Sequence, residues 1–303
     1  MIYTLTLNPA LDYECTLTDL VFGTINRTKN EAIYFGGKGV NVSGILKELG
    51  IESVCLGFTA GFTGEALRQG VRNNLKLNEK FLTVSEGMTR INVKVHGNTE
   101  TEINGSGPRI ESGDLERLYA QLDQLQDGDW LICSGSRPQG INPSIFKTLI
   151  ERLGNKKVNV VLDTTGEALI QALSTKPFLI KPNHHELEEL FGHPMTDNDQ
   201  IAAAAKALQS KGARNVLVSR GKDGALLVQE NGKVIVSGAC KGIMKSPIGA
   251  GDSMVAGFVA GTVYKLKDEE RLRLAGACGS ATAFCSGLAK KEEIQKCYEE
   301  AGK

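Results

Sequence analysis

Hydrophobic positions along this chain follow two alternating rhythms. Short apolar runs at 2–7, 53–58, 130–134, 158–163, 178–181 and 215–219 have the length and composition of buried strands. Between them, apolar residues recur every three or four positions at 115–125, 144–153, 167–173 and 201–210, the spacing of one helix face, with Pro143 at the first position of the second stretch. Apolar strands separated by amphipathic helices predict an α/β fold with a mostly parallel sheet covered on both faces. Ligands of such sheets gather at the carboxyl ends of the strands, and Asp12, Ser136, Asp163, Asn183 and Ser219 all follow predicted strand ends.

Two regions break the rhythm. Residues 12–34 show no helical period. Residues 90–95 alternate apolar Ile91, Val93 and Val95 with polar neighbours, and an extended polar stretch runs on to 103. Both read as antiparallel strands with one face exposed. Towards the end, 216–218, 225–228 and 234–236, with an Asn231-Gly232 turn, predict a hairpin added to the sheet, and 272–284 and 294–298 are helical. No repeat, linker or low-complexity tract interrupts the pattern, so a single domain is expected over 1–303.

Composition narrows the function classes. Lys plus Arg number 35, as do Asp plus Glu, and so balanced a surface argues against nucleic acid or an anionic membrane as a main partner. No stretch has the length of a membrane span, and the first residues lack the charged region and cleavage site of a signal peptide. Seven cysteines without a Cys-x-x-Cys fit poorly with a disulfide framework, which points to the cytoplasm. His184-His185-Glu186 makes a poor zinc chelate, because adjacent helical side chains diverge by about 100°.

Two glycine clusters carry the candidate chemistry. Gly249-Ala250-Gly251-Asp252 runs into an apolar stretch, so an acid stands at the start of a helix bared by small residues. The first amides of a helix have no internal partner and attract phosphate. Two readings of Asp252 stand level: an ordinary helix N-cap, or a base that orients and deprotonates a hydroxyl attacking a phosphoryl group. The second cluster is Gly36-Gly37-Lys38-Gly39-Val40-Asn41, followed by Val42, Ile45, Leu46 and Leu49 at helical spacing, with Gly50 at the close. It lacks the Ser or Thr of a Walker loop and the third glycine of a dinucleotide fingerprint. Lys38 is then either a solvated lysine or a phosphate ligand, with Asn41 on sugar hydroxyls.

These clusters occur in order with Asn8-Pro9-Ala10-Leu11-Asp12, Ser134-Gly135-Ser136, Asp163-Thr164-Thr165-Gly166, Lys181-Pro182-Asn183-His184-His185-Glu186 and Ser219-Arg220-Gly221-Lys222-Asp223-Gly224. In that order, along nearly the whole chain, they resemble the PfkB/ribokinase family of sugar kinases. The resemblance implies a ribokinase-like three-layer α/β fold with a small β-sheet lid formed by about 12–34 and 89–104, often used for dimer contact. It implies ATP and Mg²⁺, a general base at Asp252 and a phosphoryl cradle at Gly249, Ala250 and Gly251. It places Asp12, Gly37, Lys38, Asn41, Arg90, Ser136 and Arg27 at the sugar. Asn183, Ser219, Arg220, Gly221, Lys222, Asp223 and Gly224 fall at the nucleotide, and Glu186 at the metal through water. Lys38 and Arg90 are the first choices for the substrate's own phosphate.

Three departures from the family pattern are Arg137, Arg220 and Pro247. Within the family, Lys38 and the segment Thr101-Glu102-Ile103-Asn104-Gly105 look most like the branch acting on ketohexose phosphates. Fructose 1-phosphate is the first substrate to expect and tagatose 6-phosphate its nearest rival. A sugar-phosphate sensor without catalysis is a reading of a different class, and the intact acid at 252 counts against it. A Rossmann oxidoreductase is more distant still.

Overall fold

The computed structural model describes residues 1–302. In chain order, β1 (Ile2–Thr6), β2 (Ala10–Thr16) and β3 (Asn30–Gly36) lead to α1 (Lys38–Glu48). Then come β4 (Ser53–Ala60), α2 (Gly61–Gln69) with a π turn at Gly70–Asn74, β5 (Asn78–Glu79), β6 (Leu82–Val84), β7 (Arg90–His96) and β8 (Thr101–Asn104). The middle alternates through α3 (Ser112–Leu122), β9 (Trp130–Ser134), α4 (Ile145–Glu151), β10 (Asn159–Asp163), α5 (Gly166–Ala172), β11 (Leu179–Ile180), α6 (His184–Phe191), α7 (Asn198–Ser210) and β12 (Asn215–Ser219). The chain closes with β13 (Ala225–Val228), β14 (Val234–Ser237), α8 (Ala250–Val263), α9 (Asp268–Ala283) and α10 (Lys291–Glu300).

The main sheet runs β14-β13-β12-β11-β10-β9-β1-β4-β5, with β6 paired to β4. Pairing is parallel from β12 through to β5, and β13 and β14 join antiparallel as the expected hairpin extension. Strand alternation divides the core in two. Val160 and Leu162 face one apolar cluster with residues of α3, α4, α5 and α7, while Val161 faces another with α1, α8, α9 and α10. Three layers result, with helices on both faces. A second sheet, β3-β2-β7-β8, is the predicted lid.

Four expectations need correction. The lid is mixed: β2 pairs antiparallel with β3 but parallel with β7. Between β2 and β7 the chain makes a long excursion through α1, β4 and α2, so nothing forces the second strand to turn back against the first. Asp12 lies within β2 of the lid and not directly after β1. Helix α4 takes Ser144 as its N-cap, which leaves Pro143 one position ahead of it. Helix α2 and strands β5 and β6 were not predicted, since three glycines, Gly61, Gly64 and Gly70, interrupt the apolar pattern in 59–84 and mask them.

Candidate active site

Between the lid and the carboxyl ends of the main strands lies a cleft of about 910 Å³, bordered by Asp12, Lys38, Arg90, Lys181, Asn183 and Asp252 among others. Its floor is built by two helix starts. Gly37 caps α1, and Gly249, with φ of 78°, caps α8 in a left-handed conformation that suits glycine and strains other residues. Asp252 is therefore the third residue of α8 and not its N-cap, which removes the bland reading of this acid. It is 5% exposed, although it sits among orphan amides.

The Asp252 carboxylate is held by its neighbours. Asn41 Nδ2 donates to Oδ2 at 2.8 Å, and Lys38 Nζ lies 3.9 Å from Oδ1. Burial raises its pKa to about 6; Lys38 and Asn41 pull downward against this, and the nearby Asp163 pushes up. Such a carboxylate is ionised at neutral pH yet a better proton acceptor than a free Asp. The amide of Ala250 donates to Pro247 O at 3.3 Å, so one of the three residues expected to cradle a phosphoryl group has its amide paired within the fold. The Gly251 and Asp252 amides are the first-turn donors that remain.

Lys38 was expected on the far phosphate of the substrate, and Asn41 on sugar hydroxyls; both border the cleft. Within the fold, Lys38 Nζ bonds Asp163 Oδ2 at 3.0 Å and lies beside Asp252. Burial alone would lower its pKa, but Asp163 and Asp252 outweigh this and raise it. Asn41 spends an amide hydrogen on Asp252.

The lid supplies the opposite wall. Asp12 Oδ1 accepts from Asn92 Nδ2 at 2.7 Å, and Oδ2 lies 3.5 Å from Lys94 Nζ. Arg90 borders the cleft, with Nε donating to Asn8 O at 3.0 Å, and burial lowers its pKa. Asn92 and Lys94 were not singled out from sequence. The signal was present, because Arg90, Asn92 and Lys94 are the polar half of the same alternation that betrayed the strand.

Towards β11 and β12, Asn183, Ser219, Gly221, Lys222 and Gly224 border the cleft as expected. Asn183 and Glu186 form a capping box on α6, each side chain accepting the other's backbone N–H at 2.8 Å. Glu186 borders the cleft while one of its oxygens serves this cap.

Four predicted residues lie outside the cleft lining: Arg27, Ser136, Arg220 and Asp223. Arg27 and Ser136 are exposed in loops. Arg220 folds back to donate to Asn198 Oδ1 and Asp223 O, which makes it a brace for its own turn. Arg137 likewise donates to Ile141 O. The expected divergence of His184 and His185 also fails: their rings stack with centroids 3.7 Å apart, and His185 Nδ1 lies 3.2 Å from Glu188 Oε2.

A model of the pfkB family of carbohydrate kinases matches residues 7–295. The chain belongs to that family. This kinase, which by family transfers phosphate to a sugar hydroxyl, is 43% identical over 300 residues to a 1-phosphofructokinase of Bacillus subtilis, covering 99% of this chain and 98% of the relative. It is 37% identical to a D-tagatose-1-phosphate kinase of Bacillus licheniformis, covering 98% and 97%. The solved structure of phosphofructokinase-2 from Escherichia coli in complex with substrates and products superposes with a TM-score of 0.93 at 28% identity, covering 100% of this chain and 99% of that one. The mostly parallel sheet with its separate small sheet is thus the ribokinase-like arrangement expected from sequence. No helix among the described residues is long and apolar enough to cross a membrane.

Proposed function

We propose that this kinase transfers the γ-phosphoryl group of ATP to the C6 hydroxyl of fructose 1-phosphate, giving fructose 1,6-bisphosphate. One observation carries the chemistry: a buried carboxylate at the start of α8, gripped by Asn41 and facing Lys38. In this reading Asp252 aligns the hydroxyl and accepts its proton as the oxygen bonds to phosphorus and the bond to ADP breaks. The amides of Gly251 and Asp252 and the ammonium of Lys38 face the charge on the moving group. Arg90, with Asp12 and Asn92, binds the rest of the sugar phosphate from the lid, which sets the C1 phosphate at the end of the cleft away from Asp252.

The nucleotide takes the side lined by Asn183, Ser219, Gly221, Lys222 and Gly224. Mg²⁺, when bound, neutralises phosphate charge, and Glu186 would hold it through water, using the oxygen outside its cap. Seven free cysteines suit a reducing, cytoplasmic setting. The tagatose relative is named for the 1-phosphate, whereas the sequence rival was the 6-phosphate. Both named substrates therefore carry phosphate on C1, and D-tagatose 1-phosphate, differing at C4, becomes the second substrate to try.

The test is ATP turnover against fructose 1-phosphate, tagatose 1-phosphate, tagatose 6-phosphate, fructose 6-phosphate and free fructose. Preference for fructose 1-phosphate in kcat/KM supports the assignment. Equal use of free fructose defeats the phosphosugar reading, and preference for a 6-phosphate reverses the direction of the substrate in the cleft.

A further inference from the structure

At the cleft floor, charges alternate in a row that the sequence motifs did not explain. Lys181, just past β11, is 5% exposed, and its Nζ lies 3.3 Å from Oδ1 of Asp163, the last residue of β10, itself 2% exposed. The other oxygen of Asp163 accepts from Lys38 at 3.0 Å, and Lys38 in turn faces Asp252. A Cβ on Gly251 would sit 3.0 Å from Lys181 Nζ, so the ammonium is packed against the first turn of α8. Burying this many charges is costly unless each has a partner, and an apolar pair would fill the space at lower cost.

We propose that Lys181 and Asp163 are a positioning pair of the kinase, fixing Lys38 against Asp252 and fixing the first turn of α8 at Gly251. The pair rests on the sugar-kinase reading above. Asp163 is a two-sided anchor: without Lys181, its charge falls wholly on Lys38 and draws that ammonium away from the base. Without Asp163, Lys38 is free to close on Asp252.

The charged groups bearing on Asp252 are Lys38 from α1, Asp163 from β10 and Lys181 from the end of β11, with Asn41 donating directly; Glu186 of α6 bears on Lys38. The signs follow. Removing the Lys181 cation disfavours the ionised carboxyl and raises its pKa, while removing the Asp163 anion lowers it. Asp163→Asn and Lys181→Met should therefore move the acid limb of the kcat/KM profile in opposite directions by roughly 0.5–1 pH unit. Each should cost roughly 10- to 100-fold in kcat through misplacement, with KM for ATP within a few fold. The double variant should return the limb towards wild type.

The same shifts are to be read directly by ¹³C NMR titration of the Asp252 carboxyl, assigned with Asp252→Asn. This second readout stands even if the substrate panel defeats the fructose 1-phosphate reading. Shifts in the same direction, or an unmoved Asp252 titration with only a lowered Tm, would overturn the proposal and leave the pair as a structural brace. Should Lys181→Met fail to fold, Lys181→Gln carries the same comparison.

Discussion

The two sheets of this kinase are built by opposite rules. Every residue of β4 and β9 in the main sheet is buried, whereas the first five residues of β3 in the lid are exposed. The main sheet lies between two layers of helices, so its strands are mostly apolar on both sides, and α1 and α8 start at the cleft floor. The lid has one polar and one apolar face. Across its four strands Tyr34, Asp12, Asn92 and Asn104 stand in register, and beside them runs the row Ile33, Tyr13, Val93 and Ile103. The polar row reaches the cleft through Asp12 and Asn92, while Ile33 and Ile103 of the apolar row are 57% and 61% exposed. The proposed function thus puts the chemistry on the sheet covered by helices on both faces and recognition on the sheet that lacks a second layer. If so, changes in the floor should strike kcat and stability, and changes in the lid should strike the sugar KM and association.

The largest effect is expected at the floor. Asp252→Asn keeps shape but removes the proton acceptor, so kcat should fall by roughly two to four powers of ten with ligand binding retained. A variant holding more than about a tenth of wild-type kcat would refute the general base. The same substitution should stabilise the fold at pH 7. The folded pKa of about 6 lies above the ordinary 3.8, so the ionised carboxyl penalises the native state. That penalty is complete above pH 6 and absent below about 4. The gain should be roughly 1–3 kcal/mol at pH 7 and should vanish on acidification in paired urea titrations. By the same titration, wild-type activity should fall as pH drops through about 6.

Next comes the frame itself. Leu56, 1% exposed in the middle of β4, packs within the core that supports the sheet, and Leu56→Ala should cost about 2–5 kcal/mol in denaturant unfolding. A cost near zero would mean the main sheet is far less tightly packed than its burial implies. At the recognition end, Arg90→Met should lower kcat/KM for fructose 1-phosphate by about one to two powers of ten while KM for ATP stays nearly constant. Lys38→Met is the contrast: from its place beside Asp252 it should act chiefly on kcat. If instead the two variants gave the same pattern, floor and lid would not divide the work.

Much of this was legible in the chain because the strands of the frame are self-announcing. The runs at 130–134 and 215–219 match β9 and β12 to the residue, since strands buried on both faces have predominantly apolar centres. The acid at 252 and the lysine at 38 were visible as chemistry for the same reason, standing in glycine-rich helix starts that need no side-chain bulk. What the sequence could not show is who holds whom. Lys38 and Asp163 are 125 positions apart, and Asn41 and Asp252 are 211 apart, so no local spacing records that Lys38 sits between Asp163 and Asp252 or that Asn41 donates to Asp252. Arg220 shows the same limit. A cation in a phosphate-loop motif looks like a ligand, and no local spacing records that it donates to Asn198 and the carbonyl of Asp223 outside the cleft lining. The parallel pairing of β2 with β7 was hidden likewise, because alternation fixes which face is wet and says nothing of direction.

The smallest effect on the folded chain, and the sharpest on the comparison, is expected at Ile33. Its side chain is 57% exposed in register with Tyr13, so Ile33→Ser removes little buried area and should change unfolding free energy by no more than about 0.5 kcal/mol. If two lids associate through the row Ile33, Tyr13, Val93 and Ile103, the same substitution places a hydroxyl in an apolar contact on both copies and should weaken dimerisation at least roughly tenfold. Sedimentation velocity across a concentration series measures this directly. A wild-type protein that is monomeric throughout, or a variant that dimerises as tightly as wild type, would show that the apolar face of the lid is not where copies meet. A stability loss as large as that of Leu56→Ala would undo the contrast itself, since the lid would then be carrying the fold as the main sheet does.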